Sequence, residues 1–242
     1  MHYIPNQSNT VYAPMKPVLR MPTMREAEWV LELSRRYYQK HHKILLPVME
    51  GNIVGYGLLG SSVYGLHHSD SDRDVLIITD TPKNRDFNHV FSNEGVDVRI
   101  TSIFNLAHQL LESTPSEVDL HASGLLTIRN PYKSYYNAIR FNQWRYLDRI
   151  HHHAHSDVSK AFSNKKSSDR VAKSLKTALR SFVMSHRYRN EHHSPPRTLF
   201  TNAERESFYR ELYFLEEALY QNQQSLTENI AIQLVEEAAE RI

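Results

Sequence analysis

The sequence predicts an α+β protein, in which a small mixed β-sheet with packed helices precedes an all-helical C-terminal part. Two observations lead to this class. Short runs with the length and spacing of strands occur only in the first half of the chain, whereas every convincing segment after Pro131 has helical spacing. We therefore expect two modules, residues 1–125 with the sheet and residues 126–242 with helices, and a boundary that falls within residues 115–135.

The elements of the first module follow from caps and periodicity. Thr23 is a suitable N-cap for a helix over residues 24–40, which has apolar side chains near one face. Three strands are expected, at residues 54–59, 74–79 and 96–100. The second strand, DVLIIT, is continuously apolar, as is typical of a strand buried on both faces. Residues 103–112 have the pattern of a helix that stops near Pro115.

The second module is expected to consist of amphipathic helices. The first covers residues 130–150, with Pro131 in its first turn, and the next covers residues 168–189. Asn202 is a possible cap for a helix over residues 204–220, and Thr227 for a last helix.

Composition excludes several classes of function. No run of about 18 apolar residues is present, so no membrane span is expected. The N-terminal residues lack the apolar core of a secretory signal, and cytoplasm is the expected location. Because the chain has no cysteine, disulfides, thiolate metal sites and cysteine nucleophiles are excluded.

Charge is distributed unevenly along the chain. Residues 121–200 contain 15 Lys and Arg against four Asp and Glu, a net charge of +11. The net charge is −3 before this segment and −6 after it. A basic segment beside carboxylates favours an anionic substrate, although a solvated helical surface would have the same composition.

The most informative stretch follows the first expected strand. Gly60 allows the backbone to approach a phosphate, and Ser61 and Ser62 offer hydroxyl and amide donors near an expected helix N-terminus. Asp72 and Asp74 lie two residues apart where a strand begins, so both side chains point to the same face. Two such carboxylates can bridge a pair of Mg²⁺ or Mn²⁺ ions. An isolated D-x-D is also common in surface turns.

A third carboxylate is available from another strand. In VDVRI, Asp97 alternates away from Val96 and Val98, as it must if those two valines face the core. Asp97 can complete the coordination of one metal and accept the proton of an attacking hydroxyl. The alternative is an ordinary exposed strand residue.

These residues carry a family resemblance. The segment GSSVYGLHHSDSDRD, a Gly-Ser pair followed by ten residues and D-x-D, resembles the DNA polymerase β-like nucleotidyltransferases. More narrowly, it is similar to the G-S-x-A-Y-G-L-x-x-x-x-S-D-x-D motif of the predicted nucleotidyltransferases called YcgL or RlaP, which are associated with RNA repair. The later segment VDVRITSIFNLAHQLLESTPSEVDL resembles that family's strand, helix and N-P-x-x-L-E-L segment, with Pro115 and Asp119 at the Pro and Glu positions and Thr114 in place of Asn.

The resemblance implies a mixed-sheet catalytic fold and an activity. The implied activity is the transfer of a nucleoside monophosphate from a nucleoside triphosphate such as ATP to a hydroxyl group, with release of pyrophosphate. The resemblance also implies that Ser61 contacts the terminal phosphates, that Asp72 and Asp74 hold both metal ions, and that Asp97 holds the ion nearest the acceptor.

Lys173 and Arg180 are candidates for contacting the triphosphate or the acceptor backbone. They lie seven residues apart on one helix, so they share a face, but two solvated basic residues would show the same spacing.

The histidine cluster at residues 151–155 has two interpretations. Only His151 and His155 share a helical face, and a zinc site would need a third ligand that the sequence does not supply. A basic or pH-sensitive surface is the preferred interpretation. Nearby aromatic residues could stack on bases, although at helical spacing most belong to the core; they are Tyr132, Tyr135, Tyr136, Phe141, Trp144 and Tyr146.

Three functions remain open at this level. The leading hypothesis is an enzyme that adds a nucleotide to RNA, because a basic segment gains affinity from several phosphate contacts together. The same chemistry could act on a protein hydroxyl or on a small molecule. A nucleotide-binding or nucleic-acid-binding module without catalysis is the third reading, which the presence of all three carboxylates and of the Gly-Ser pair opposes.

Overall fold

A computed structural model describes residues 21–67, 73–82, 86–91, 96–163, 168–190, 197–221 and 226–242. The described residues up to Asn142 form one compact unit, the sheet unit, and those from Gln143 onward form a second, the helical unit. The sequence-based boundary lies earlier, after residue 125. The difference arises because Leu126–Ile128 pairs with a strand of the sheet. The functional division into modules 1–125 and 126–242 stays a prediction.

The described part of the sheet unit combines strands with helices that precede and follow them. Its described elements are α1 Met24–His42, α2 Pro47–Glu50, β1 Ile53–Leu58, a 3₁₀ helix Gly60–Tyr64, β2 Arg73–Thr79, β3 Phe87–Phe91, β4 Val96–Ser102, α3 Ile103–Leu111, α4 Pro115–Ser123, β5 Leu126–Ile128 and α5 Tyr132–Ala138. The three expected strands and the two expected helices of this region are present, with ends that differ by one or two residues. The strands β3 and β5 and the helices α2 and α4 were not expected.

The sheet is mixed and has the strand order β3-β4-β2-β1-β5. The central pair, β2 and β4, is parallel, whereas β1 pairs antiparallel with both β2 and β5, and β3 pairs antiparallel with β4. The α+β class is therefore confirmed.

The helix α1 begins as the sequence predicts. The Thr23 side chain accepts a hydrogen bond from the Glu26 amide at 3.2 Å, and the Glu26 carboxylate accepts one from the Thr23 amide at 2.7 Å. This reciprocal capping box satisfies two of the amides that a helix N-terminus leaves without intrahelical partners.

One hydrophobic core lies between the sheet and the helices α1 and α2. Alternate residues of β2 and β4 supply it from the sheet, and the helices supply it from the other side; its members include Val30, Leu31, Met49, Val75, Ile77, Val98 and Ile100. On the opposite face of β2, Leu76 and Ile78 are also fully buried. The strand is thus buried on both faces, as its continuous apolar run predicts.

The helical unit contains, among the described residues, α6 Gln143–Ser163, α7 Ser168–Asn190, α8 Asn202–Gln221 and α9 Glu228–Glu240. Across all the described residues, no helix combines the length and the apolar character needed to cross a membrane.

Two sequence-based expectations about these helices are corrected. The single helix expected over residues 130–150 is interrupted between Ala138 and Gln143, where the amide of Asn142 donates to the Ser113 hydroxyl at 2.8 Å. A tertiary contact replaces a helical hydrogen bond there.

The cap of α8 is Thr201, not Asn202, because the Thr201 hydroxyl accepts from the Glu204 amide at 3.2 Å while the Glu204 carboxylate accepts from Thr201. The predicted cap at Thr227 is present.

Candidate active site

The parallel pairing of β2 and β4 places two of the predicted carboxylates beside each other. Asp74 is the register partner of Asp97, so their Cα atoms are neighbours across strands about 4.8 Å apart. Register partners of neighbouring strands point to the same face of a sheet. Both side chains are half-buried near the beginning of their strands, where two oxygen ligands can approach one cation.

Gly60 packs directly against the first of these carboxylates. A Cβ atom built on Gly60 would lie 1.9 Å from Oδ2 and 2.7 Å from Cγ of Asp74. The φ angle of Gly60 is +58°, a left-handed conformation that favours glycine. The Leu59 amide donates to the Asp74 carbonyl at 3.0 Å, so this turn holds the backbone of Asp74 while Gly60 packs against its side chain.

The Gly-Ser segment forms a short 3₁₀ helix rather than an α-helix. Ser61 is half-buried and Ser62 is buried, with 2% of its surface exposed. The Ser61 carbonyl accepts from the Leu66 amide, and the Ser62 carbonyl accepts from the Gly65 amide. Of the two serines, Ser61 is therefore the one that a ligand can approach from solvent.

A hydrogen bond that the sequence analysis missed joins the two motif segments. The Tyr64 hydroxyl donates to Oδ2 of Asp119 at 2.7 Å, and both side chains are buried. It links the 3₁₀ helix to α4. Tyr64 belongs to the segment GSSVYGL and Asp119 to the segment PSEVDL. Both segments had been singled out in the sequence, and a tyrosine hydroxyl in one with an acid in the other was the available signal for this hydrogen bond.

An ion-pair network extends along the same face of β4. Arg99 lies two residues after Asp97 and contacts Asp86 at 2.8 Å and Glu117 of α4 at 2.6 Å. Burial lowers the pKa of Arg99, but the adjacent Glu117 and Asp86 carboxylates more than offset this, and the pKa is raised above its ordinary value. This network places α4 over the face of the sheet that carries Asp74 and Asp97.

Asp72, the remaining predicted ligand, lies outside the described residues. Within the described part of the chain, no three His, Asp or Glu side chains are grouped so that they could hold a metal ion. The three-carboxylate site stays a prediction, and the geometry reported above concerns Asp74 and Asp97.

The predicted basic pair lies on α7 in the helical unit, and a third cation accompanies it. Lys173 is exposed and Arg180 is half-buried. Between them, Lys176 lies 5.5 Å from the centre of the Tyr209 ring. Burial, and then the charge of Arg180, lower the pKa of Lys176 to about 8. The sequence analysis did not name Lys176. Its helical spacing from Lys173 and Arg180 could have identified it, because all three residues share one helical face.

The histidine cluster contains one close pair. The Nε2 atoms of His151 and His155 are 3.0 Å apart, and both rings contact Phe182. Burial, followed by the neighbouring His155, lowers the pKa of His151.

The predicted aromatic residues divide between core and surface. Tyr136 and Tyr146 are fully buried, whereas Tyr135 is 61% exposed and Trp144 is 82% exposed. Tyr132 and Phe141 are half-buried. The expectation that most of the six belong to the core is therefore wrong, because only two of them are buried.

Comparison with known proteins gives one family match. Residues 45–146 match the family model described as nucleotidyltransferase domain. No curated protein matches the chain. A solved structure of a nucleotidyltransferase-like protein from Exiguobacterium sibiricum is 14% identical, covers 87% of this chain and 73% of its own, and superposes with a TM-score of 0.29. The matched region includes β1, the 3₁₀ helix, β2 and β4, and hence Gly60, Asp74 and Asp97. Residues 45–146 of this chain are therefore similar to nucleotidyltransferase domains, and the match supports NTP-dependent nucleotidyl transfer in general.

Proposed function

We propose that the protein is a metal-dependent nucleotidyltransferase that transfers a nucleoside monophosphate from a nucleoside triphosphate to a hydroxyl group of RNA. The observation that best supports this is the register pairing of Asp74 with Asp97 beside Gly60, inside the region that matches a nucleotidyltransferase domain. Carboxylates on register partners of neighbouring strands lie close enough together to supply oxygen ligands to one cation.

The residues present fit a divalent cation. Carboxylate oxygens are the ligands that Mg²⁺ and Mn²⁺ prefer, and the missing side chain of Gly60 leaves the Asp74 carboxylate room at the site. Asp72, Asp74 and Asp97 would hold two ions, whose contribution when bound is to neutralise charge on the triphosphate and on the two reacting oxygens.

The chain's own groups bind the triphosphate, orient the acceptor hydroxyl and accept its proton. Ser61 is proposed to contact the terminal phosphates, with the Gly60 backbone and Ser62 beside it. Asp97 accepts the proton of the acceptor hydroxyl, whose oxygen forms a bond to the α-phosphorus. The bond from the α-phosphorus to the bridging oxygen breaks, and pyrophosphate leaves. Such in-line transfer depends mainly on positioning and charge neutralisation.

RNA is the proposed acceptor because of the basic segment at residues 121–200. Lys173 and Arg180 belong to this segment, and we propose that they contact the triphosphate or the RNA backbone. If several of these cations meet phosphates, the logarithm of the affinity for single strands falls with the logarithm of salt concentration by about 0.7 per contact.

The experiment is to incubate the protein with each nucleoside triphosphate, labelled at the α-phosphate, together with Mg²⁺ and total RNA or cell extract. We expect label in RNA with the wild type and at least a 100-fold loss with Asp74→Asn, the order of magnitude for removing one transition-state stabiliser. The matched control is Asp148→Asn, an exposed carboxylate on α6, which should retain activity. Equal transfer by Asp74→Asn and the wild type would refute the assignment.

The acceptor is tested separately. Lys173→Glu and Arg180→Glu should weaken RNA binding, whereas Arg210→Glu, an exposed arginine of α8 outside the basic segment, should not. Two results together would refute RNA as the acceptor: the label enters a protein or a small molecule, and the affinity for RNA does not change with salt concentration.

A further inference from the structure

The helices α3 and α5 present an apolar surface on the sheet unit. Phe104 is 46% exposed, Leu111 is 53% exposed and Tyr135 is 61% exposed. The ring of Tyr132 is half-buried and meets Phe104 edge-on, with centroids 6.5 Å apart. We call these four side chains, Phe104, Leu111, Tyr132 and Tyr135, the aromatic surface.

The core does not require these side chains. The opposite face of α3 is already buried in the sheet unit, with Ile103, Leu106, Ala107 and Leu110 all at most 4% exposed. Phe104 and Leu111 lie seven residues apart and therefore share the outer face of the helix. Large apolar side chains exposed on one face in this way are typical of a binding surface.

The charge around α5 favours a polyanion as the bound partner. No Asp or Glu occurs from residue 120 to residue 147. Within the sheet unit, this interval contributes Arg129, Lys133 and Arg140, all three of them exposed. Cations interleaved with exposed rings are the combination that binds single-stranded nucleic acid, because bases stack on the rings while the cations meet phosphates.

The location separates this surface from the carboxylates. The helix α3 follows directly on Ser102 at the end of β4, whereas Asp97 lies near the beginning of that strand. Five strand residues at about 3.3 Å each span about 17 Å. A nucleic acid whose reacting nucleotide lies at the carboxylates would therefore meet this surface with other nucleotides.

We propose that the aromatic surface, together with Arg129, Lys133 and Arg140, binds single-stranded RNA by stacking its bases. This deepens the proposed function and rests on it only in naming RNA as the acceptor. The bases are the specific element of the proposal, because a duplex of the same sequence presents the same phosphates but keeps its bases stacked inside.

The test is binding of a short, fluorescently labelled single-stranded RNA to the full chain, measured by anisotropy without nucleoside triphosphate. Phe104→Ala and Tyr135→Ala should each raise the dissociation constant by between about 5-fold and 150-fold, the range for losing one stacked base. Tyr135→Phe keeps the ring and should bind as the wild type does. Trp29→Ala is the matched control, because Trp29 is an aromatic residue of the same unit with 48% exposure, and it should leave binding unchanged.

The outcomes separate this inference from the proposed function. Wild-type affinity in both Phe104→Ala and Tyr135→Ala would overturn it, as would equal loss of affinity for single-stranded and duplex RNA. Loss of self-association in these variants without loss of RNA binding would also overturn it and would assign the surface to a second copy of the chain. If Asp74→Asn binds RNA normally and depends on the same rings, while no nucleotide transfer is detectable in the wild type, the inference stands and the proposed function fails.

Discussion

The contact between Gly60 and Asp74 gives the sharpest prediction about the candidate site. In Gly60→Ala the new Cβ would lie 1.9 Å from Asp74 Oδ2 and 2.7 Å from Cγ, whereas real Cβ contacts shorter than 3.0 Å essentially do not occur. The carboxylate must therefore move by about 1 Å, since the atoms cannot overlap. A displacement of this size at a reacting centre reduces the rate about 100-fold.

The substitution also has a cost that is unrelated to catalysis. Alanine in the left-handed conformation of Gly60 destabilises the folded state by about 1–2 kcal/mol. For a protein of this length each kcal/mol lowers Tm by about 2–4 °C. Activity must therefore be compared with a variant that has the same backbone strain and no clash.

Gly124 provides that control. Its φ angle is +70°, and a Cβ built on it would meet no heavy atom within 4 Å. Gly124→Ala should lower Tm by the cost of the same backbone strain, measured by thermal unfolding, and should retain wild-type transfer of α-labelled nucleotide. Transfer rates that fall equally in the two variants would show that Gly60 acts on stability alone, and would refute its role in positioning Asp74.

Three further predictions concern stability. Arg99→Met leaves the buried Glu117 carboxylate without its cation and should lower the free energy of unfolding by about 3 kcal/mol in urea titrations; a loss below about 1 kcal/mol would contradict a structural role. Tyr64→Phe removes the hydrogen bond to Asp119 and should cost about 1.5 kcal/mol by the same measurement, so unchanged stability would contradict the contact. Burial lowers the pKa of Lys176 from 10.5 to about 8, so between these values the unfolded chain holds a proton that the folded chain has lost. Stability should therefore rise from about pH 8 to 10.5 relative to Lys176→Met, and parallel pH profiles would refute the shift.

Local signals in the sequence were sufficient for the strongest elements. The capping residue Thr23 and the apolar run of β2 each determine a structure with few alternatives, and both are present as expected. The site prediction used the same kind of information, because the alternation of VDVRI already places Asp97 away from the core side.

Elements that depend on distant partners were missed. The strand β5 has three residues and exists because it pairs with β1 across the sheet. Pro115 was interpreted as the end of a helix, whereas it occupies the first turn of α4, a position where proline loses no hydrogen bond. The interruption before α6 depends on Ser113, far along the chain from Asn142. The pattern of residues within one segment carries no information about such distant partners.

The pairing of the two carboxylates is a consequence of the hydrophobic core. Two acidic side chains placed opposite each other on neighbouring strands do not attract each other, so they do not themselves select this register. The register is determined by the alternate residues, because Val75 and Val98 are at most 3% exposed on the core side. A slip of one residue would turn one strand's apolar set toward the opposite face. The core therefore brings Asp74 and Asp97 side by side near the beginning of their strands, and the proposed metal site depends on this placement.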